Sequence, residues 1–364
     1  MRNGPIDLAC LFFSSHYAEH AGELSSTVLQ RLSPRVLLGC TGEGIISGSE
    51  EIESTPAVAL WAAQLPNTSL IPWQMSGGQD GEDFGAMEWP ELSSLPEPST
   101  LLVLADPFST PMDDVLLSMA DRCPGSVAIG GMAGGGHDEG ENRLLLNDGV
   151  YEEGLIGVAI SGAVSVRTVV SQGCRPIGER YVVTKAERNV IHELGGVPAL
   201  DQLRQMFDTL NSHDRNLAQN ALHVGVVMDE QRNRFERGDF LVRNLIGADR
   251  TLGSLAIGDV LAEGQTVQFH VRDAQSASED LHLMLAADRA RHPKPAKSAL
   301  LFSCCGRGRG LFGRPHHDVT VVRERAGDVP VAGFFAQGEI GPVGGANFLH
   351  GYTASVALFS EPGA

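Results

Sequence analysis

Apolar residues along the chain arrive in short runs that end on glycine, and the runs recur in a fixed order. The order is a strand, a helix or loop, a second strand running into a Gly-rich turn, and a further strand. The first such unit has a strand over 7–14, a helix near 20–32, a strand over 36–40 into Thr41-Gly42-Glu43-Gly44, and a strand over 57–62. The second has strands over 101–105, 127–131 and 154–160, with a helix near 111–121 and a turn at Ala133-Gly134-Gly135-Gly136. The last has strands over 299–304, 329–335 and 353–359, with a polar stretch after the first and a turn at Gln337-Gly338-Glu339-Ile340 after the second. Residues 221–228, 239–246 and 266–271 read as a weaker relative of the same unit.

Leu24, Val28 and Leu32 give the first helix an apolar stripe. Pro198 suits the first position of a helix carrying Leu200, Leu203, Phe207 and Leu210. Ser276 and Glu279 have capping-box spacing before Leu281 and Leu285, and Pro293 ends that helix. Residues 164–184 read as extended, 92–100 as a surface loop, and the polar segment 211–220 as a connection. Strands outnumber helices. The expected class is α+β: mostly antiparallel β-sheets with flanking helices, two related halves packed as an αββα-like sandwich. The expected division is 1–197 and 198–364.

Composition narrows the functions. The 364 residues carry 27 Lys and Arg against 45 Asp and Glu, a formal net charge of −18. Such a chain repels phosphate backbones and anionic lipid heads, which argues against nucleic-acid and membrane partners. Six cysteines without Cys-x-x-Cys spacing, several inside strand-like runs, suggest reduced thiols and a cytoplasmic location. The N-terminal segment has no secretory pattern, and no apolar run reaches membrane-spanning length.

The residues of the turns carry a family resemblance. Residues 37–45 around Cys40-Thr41-Gly42-Glu43 resemble the start of a FIST N-terminal domain. Residues 301–308 around Cys304-Cys305-Gly306-Arg307, residues 331–342 around Gly338-Glu339, and residues 349–353 resemble the FIST C-terminal domain. Residues 171–178 and 238–244 also look like long FIST proteins. The resemblance implies FIST N- and C-terminal-like domains over 1–197 and 198–364. It also implies a role in sensing small ligands, amino acids among them, for intracellular signal transduction. No output module is recognisable, so a separate signalling partner protein is expected.

The candidate ligand site gathers on two C-terminal turns. Cys304, Gly306 and Arg307 follow one strand, and Gly338 and Glu339 follow another. Arg307 can grip a carboxylate in two-pronged fashion, and Glu339 can take an ammonium, which together suit an amino acid or small carboxylate. The competing account is a direct Arg307–Glu339 ion pair. Asn347, His350 and Thr353 follow on the next loop and either line the pocket or satisfy turn backbone groups. Thr41 and Glu43 are the counterparts in the first half, and Arg243 belongs to a third polar set with Asp239 and Asn244. A cation beside Cys304 would activate its thiol, which leaves a Cys304-dependent enzyme with His350 as base as one alternative, and a protein-interaction scaffold as another. No cofactor or metal is expected: a P-loop, a Rossmann turn, a zinc-protease motif and a nucleophile elbow are all missing, and His316-His317-Asp318 reads as surface.

Overall fold

The structure is a computed structural model and describes residues 4–76, 99–232, 235, 238–292 and 294–361. Most of the loop expected at 92–100, and Pro293, lie outside the described residues. The chain forms two compact units, Met1–Val170 with Leu281–Ala364, and Ser171–Asp280. This partition cuts across the division at 197/198 expected from sequence.

The first unit contains β1 (Leu8–Ser14), β2 (Val36–Gly42), β3 (Gly44–Ser47), β4 (Glu50–Glu53), β5 (Val58–Ala63), β6 (Thr68–Met75), β7 (Thr100–Ala105), β8 (Val127–Met132), β9 (Leu144–Leu146), β10 (Gly149–Tyr151), β11 (Leu155–Gly162) and β12 (Ser165–Ser171). The second contains β13 (Cys174–Glu187), β14 (Val190–Leu194), β15 (Val197–Pro198), β16 (Leu222–Val227), β17 (Phe240–Asp249), β18 (Ser254–Ile257) and β19 (Thr266–Arg272). The chain then returns to the first unit with β20 (Ser298–Cys304), β21 (Val331–Ala336), β22 (Glu339–Val343), β23 (Ala346–His350) and β24 (Ala354–Ser360). The helices are α1 (Ala21–Leu32), α2 (Met112–Arg122), α3 (Ala199–Thr209), α4 (Ser212–Asn220), α5 (Ala274–Arg291), α6 (Gly308–Phe312) and α7 (His317–Ala326).

Three sheets make up the first unit, in the orders β10-β9-β2-β1-β5, β23-β22-β8-β7-β11-β6 and β12-β24-β20-β21-β3-β4. Each is built on one parallel pair, β1–β2, β7–β8 or β20–β21. A helix joins the members of each pair, because parallel neighbours need a crossover connection. An antiparallel return strand follows: β5, β11 or β24. The second strand of each pair then sends a hairpin into a different sheet. The β3–β4 hairpin pairs with β21, β22–β23 with β8, and β9–β10 with β2. The three exchanges close a ring. The repeat seen in the sequence is therefore threefold, and its copies interlock rather than forming two sequence halves.

One glycine per copy allows this. A Cβ at Gly39, Gly130 or Gly333 would lie 2.3, 1.8 or 1.8 Å from the carbonyl oxygen of Leu11, Val103 or Leu301 on the paired strand. Each of these glycines also faces the incoming hairpin, opposite Leu145, Ile340 or Ile46. Phe12, Phe302 and Phe334 meet edge to face and tilted in the shared core.

In the second unit β16 lies antiparallel between β17 and β19, and no strands pair in parallel among the described residues. The weaker relative expected over 221–271 is thus not a fourth copy. Leu200, Leu203 and Met206 of α3 and Ala218 of α4 pack on this sheet. The segment expected to connect two halves, 211–220, is helix α4, capped by the Asn211 side chain accepting from Asp214 N. Helix α5 starts earlier than its sequence suggested, because Asp273 Oδ1 accepts from Ser276 N at 2.6 Å. The class is α+β with mostly antiparallel pairing, as the sequence indicated. Helices α6 and α7 occupy the stretch read only as polar.

Candidate functional site

The three Gly-rich turns meet at the end of the ring. Glu43 N donates to Phe335 O at 3.1 Å, Gln337 N to Met132 O at 3.2 Å, and Gly134 N to Thr41 O at 3.1 Å. Each donor lies two residues beyond the acceptor of its own turn, so the three bonds form one cyclic pattern. Gly134 lets the turns approach closely, since its Cβ would come 3.2 Å from Glu43 N. The first strands of the pairs obey the same symmetry: Ser14 N, Asp106 N and Cys304 N donate to Ala57, Gly154 and Thr353 carbonyls at 3.0, 2.8 and 2.9 Å.

This register isolates Glu339. Within the exchanged hairpins it faces Gly131, where Ile45 faces Phe334 and Leu144 faces Cys40. Two copies place a buried aliphatic side chain at this position, and the third places a carboxyl that is 0 % exposed. Glu339 Oε2 accepts from Thr353 N at 3.0 Å and from Thr353 Oγ1 at 2.7 Å. Its Oε1 is buried with no hydrogen-bond partner among the described residues. Burial, and then the neighbouring Cys304 sulfur, push the carboxyl well above its ordinary range, against the Thr353 bonds that lower it.

Two thiols lie beside it. Cys305 N donates to Ala336 O at 2.9 Å, and Gly306 N to Cys304 Sγ at 3.4 Å. Cys304 is buried and Cys305 exposed. The bond between the two thiols raises Cys304, burial raises it further, and the same bond lowers Cys305 to about 7 although burial, Glu339 and Glu43 oppose this. The activated thiol expected at Cys304 therefore belongs to Cys305, because Cys304 acts as the buried donor. Iodoacetamide should modify Cys305 first, at a rate that climbs through about pH 7, with Cys304 and Cys10 unreactive. Peptide mapping that found Cys304 labelled first would contradict this assignment.

Arg307 does not reach for an open site. It is 1 % exposed, and its Nε and Nη2 donate to Asp318 at 2.6 and 2.9 Å. Nη1 donates to Tyr352 O at 3.4 Å, and the guanidinium lies 5.3 Å from the centre of the Phe312 ring. Ser303 Oγ also donates to Asp318, at 2.8 Å. Burial would raise the Asp318 carboxyl, but Arg307 and then His317 hold it below the usual range. The anticipated Arg307–Glu339 pair is replaced by Arg307–Asp318. Sequence reasoning missed Asp318 and took His316-His317-Asp318 for surface. His317 and Asp318 in fact open α7 as buried residues, and His317 stacks on Phe312 at 3.5 Å. The signal was available in Val319, Val322 and Ala326, which place one face of α7 in the core.

The remaining candidates divide. Thr353 and Gly338 flank Glu339, and Met132 N donates to Gly338 O at 2.8 Å. Exposed Glu43 lies near Cys305, on whose thiol its charge acts. Thr41 Oγ1 donates to Asn142 at 3.3 Å, and Asn142 Nδ2 donates to Asp106 at 3.0 Å. Asn347 is occupied with Ala128 N and Ser126 O at 2.9 and 3.0 Å, tying β23 to β8. His350 is buried, with Nε2 3.0 Å from Gly341 O. Arg243 lies in the second unit, paired with Asp259 at 2.7 Å. Among the described residues no group of three or more His, Cys, Asp or Glu could hold a metal, and no helix is long and apolar enough to cross a membrane.

Comparison with known proteins identifies the family, and its two domain models divide the chain at 197–199 rather than at the edges of the two compact units. The FIST N domain model matches residues 7–197, and the FIST C domain model matches 199–342. An uncharacterized protein of Mycobacterium tuberculosis is 41 % identical over 361 residues, which is 99 % of this chain and 93 % of the relative. An uncharacterized protein of Mycobacterium bovis is 41 % identical over 354 residues, covering 97 % and 90 %. FIST domains are associated with signal transduction and the sensing of small ligands. Matched over most of its length by both domain models, and aligned almost end to end with these relatives, the chain belongs to the FIST family.

Proposed function

We propose that this protein is a sensor for a small amine-bearing ligand, amino acids included, received beside Cys305 at the junction of the three turns. One observation carries the reading: a buried carboxyl with an unpartnered oxygen stands where the other two copies place Ile45 and Leu144. A buried polar atom without a partner costs free energy that an aliphatic side chain would not, which marks the position as one held for a purpose other than packing. An ammonium that reaches Oε1 supplies the missing partner, and Glu43 adds a second negative charge near the thiols. The carboxylate grip first assigned to Arg307 is spent on Asp318. An amino acid would therefore bind through its ammonium, and a simple carboxylate would bind poorly.

The reading places the protein in the cytoplasm, where Cys304 and Cys305 remain thiols, and passes its signal to a separate partner protein. A cationic ligand favours the ionised form of Glu339, so binding should tighten as pH rises. A melting screen over amino acids, simple amines and carboxylates tests it. Amine-bearing compounds should raise the melting temperature, more at pH 8 than at pH 6. A shift produced by carboxylates alone would overturn the proposal.

A further inference from the structure

Strand β20 ends on Cys304 and hands the chain directly to a second cysteine. Inside a strand, neighbouring side chains point to opposite faces. Here the strand stops at Cys304, and Arg307 N donates to Cys304 O at 2.8 Å to close a turn. The turn brings the two thiols together as hydrogen-bond partners. Of the six cysteines five are buried, and Cys305 is exposed. An accessible thiol therefore stands directly in front of a buried one, the arrangement of an attacking cysteine with a resolving cysteine behind it. Gly306 N, 3.4 Å from Cys304 Sγ, favours negative charge on that sulfur as it loses its proton.

The surroundings select the substrate. The negative charge of Glu43 acts on Cys305, which disfavours an anionic oxidant. Glu339 Oε1, buried and without a hydrogen-bond partner among the described residues, offers a bonding position beside the pair. A small neutral molecule with an O–H group next to a weak bond meets both conditions.

We propose that Cys305 and Cys304 form a reversible oxidation site for neutral hydroperoxides, either hydrogen peroxide or a small alkyl hydroperoxide. The Cys305 thiolate attacks the terminal oxygen, so an S–O bond forms as the O–O bond breaks. The leaving hydroxide or alkoxide takes a proton from solvent and departs as water or an alcohol. Cys304 sulfur then attacks the sulfenic sulfur of Cys305. The S–S bond forms, the S–O bond breaks, and the Cys304 proton leaves with that oxygen as water. Two electrons pass from the two thiols to one peroxide. Adjacent Cα atoms lie about 3.8 Å apart, below the about 4.4–6.8 Å of ordinary disulfides, so the link is strained and a dithiol reductant reopens it. None of these steps requires an amine, so the oxidation stands or falls separately from the ligand reading.

Peptide mapping of the full chain after a few equivalents of hydrogen peroxide tests the proposal. Trypsin releases residues 298–307 with both cysteines in one peptide. After oxidation, unfolding and treatment with iodoacetamide, the wild-type peptide should lack both alkyl groups and be lighter by two hydrogens. Dithiothreitol added before the alkylation should restore both groups. Cys304→Ser keeps a donor for the Cys305 sulfur but cannot close the link, so Cys305 should stop at the sulfenic acid and be trapped by dimedone; its melting temperature verifies the fold. In Cys305→Ser, Cys304 should remain alkylated. A wild-type peptide that keeps both alkyl groups while Cys10, Cys40, Cys123 or Cys174 is oxidised overturns the proposal. So does oxidation of Cys305 to the sulfinic acid without the link, and so does a folded Cys304→Ser variant that gives no dimedone adduct.

Discussion

Arg307→Ala lowers the stability of the protein by about 3–5 kcal/mol, read from the midpoint of urea unfolding. The arginine is among the largest fully buried side chains of the described residues, and its partner Asp318 is 0 % exposed. Removing the guanidinium strands a carboxylate in the core that keeps its contacts with Ser303 and His317 but still faces the charge of Glu51. The wild-type pair has a definite pH signature. Because Asp318 is held below its unfolded value, its contribution is present above the ordinary carboxylate range and is lost as pH falls through the folded value. The alanine variant should lose that acid-limb dependence along with the stability. Arg307→Met combined with Asp318→Leu should recover much of the loss, since the two charges leave together. A loss below about 1 kcal/mol would place the pair among exposed ion pairs and contradict its burial.

Gly333→Ala is the second large effect. Its Cβ would lie 1.8 Å from Leu301 O and 2.7 Å from the carbonyl carbon, both backbone atoms that no rotamer change can move aside. The parallel pair β20–β21 would have to separate at the place where β3 docks. The expected cost is at or above the top of the about 1–3 kcal/mol seen for overpacked cores. Gly345→Ala is the control for a general glycine effect: its side is open, and its only difficulty is a φ of +90°. If Gly333→Ala melts with the wild type, the close approach of the strands is not a requirement of the fold.

Much of the fold was legible because each copy repeats the same instruction. Apolar runs that end on glycine mark β2, β8 and β21, and α1 and α2 fall near the residues expected for them, whereas α6 and α7 between the third pair were not anticipated. The exchange of hairpins was not legible. Nothing local in Gly44–Ser47 says that it joins β21 rather than β2, because that choice is made by packing between distant strands. Counting Gly39, Gly130 and Gly333 as equivalent would have revealed three copies, but the runs were grouped into halves. In the site, the turn residues Glu339, Thr353 and the two cysteines came together, whereas Arg307 was misread. Its partner sits in a charged stretch whose helical periodicity is carried by a few valines, and charge sequence alone does not reveal which pairs are buried.

Glu339→Gln gives the most direct test of the ligand site. Glutamine keeps an acceptor for Thr353 N and Oγ1 but cannot ionise. A carboxyl raised by folding keeps its proton in the native state after the unfolded chain has lost its own, so wild-type stability falls as pH rises above the ordinary Glu range. The glutamine variant lacks that slope and should melt at or above the wild type, with a gap that widens toward pH 8. In the same melting experiment, an amine-bearing compound that stabilises the wild type should leave the variant unshifted. Equal shifts in the two proteins would show that the ligand does not engage Glu339, and the sensory site would have to lie elsewhere.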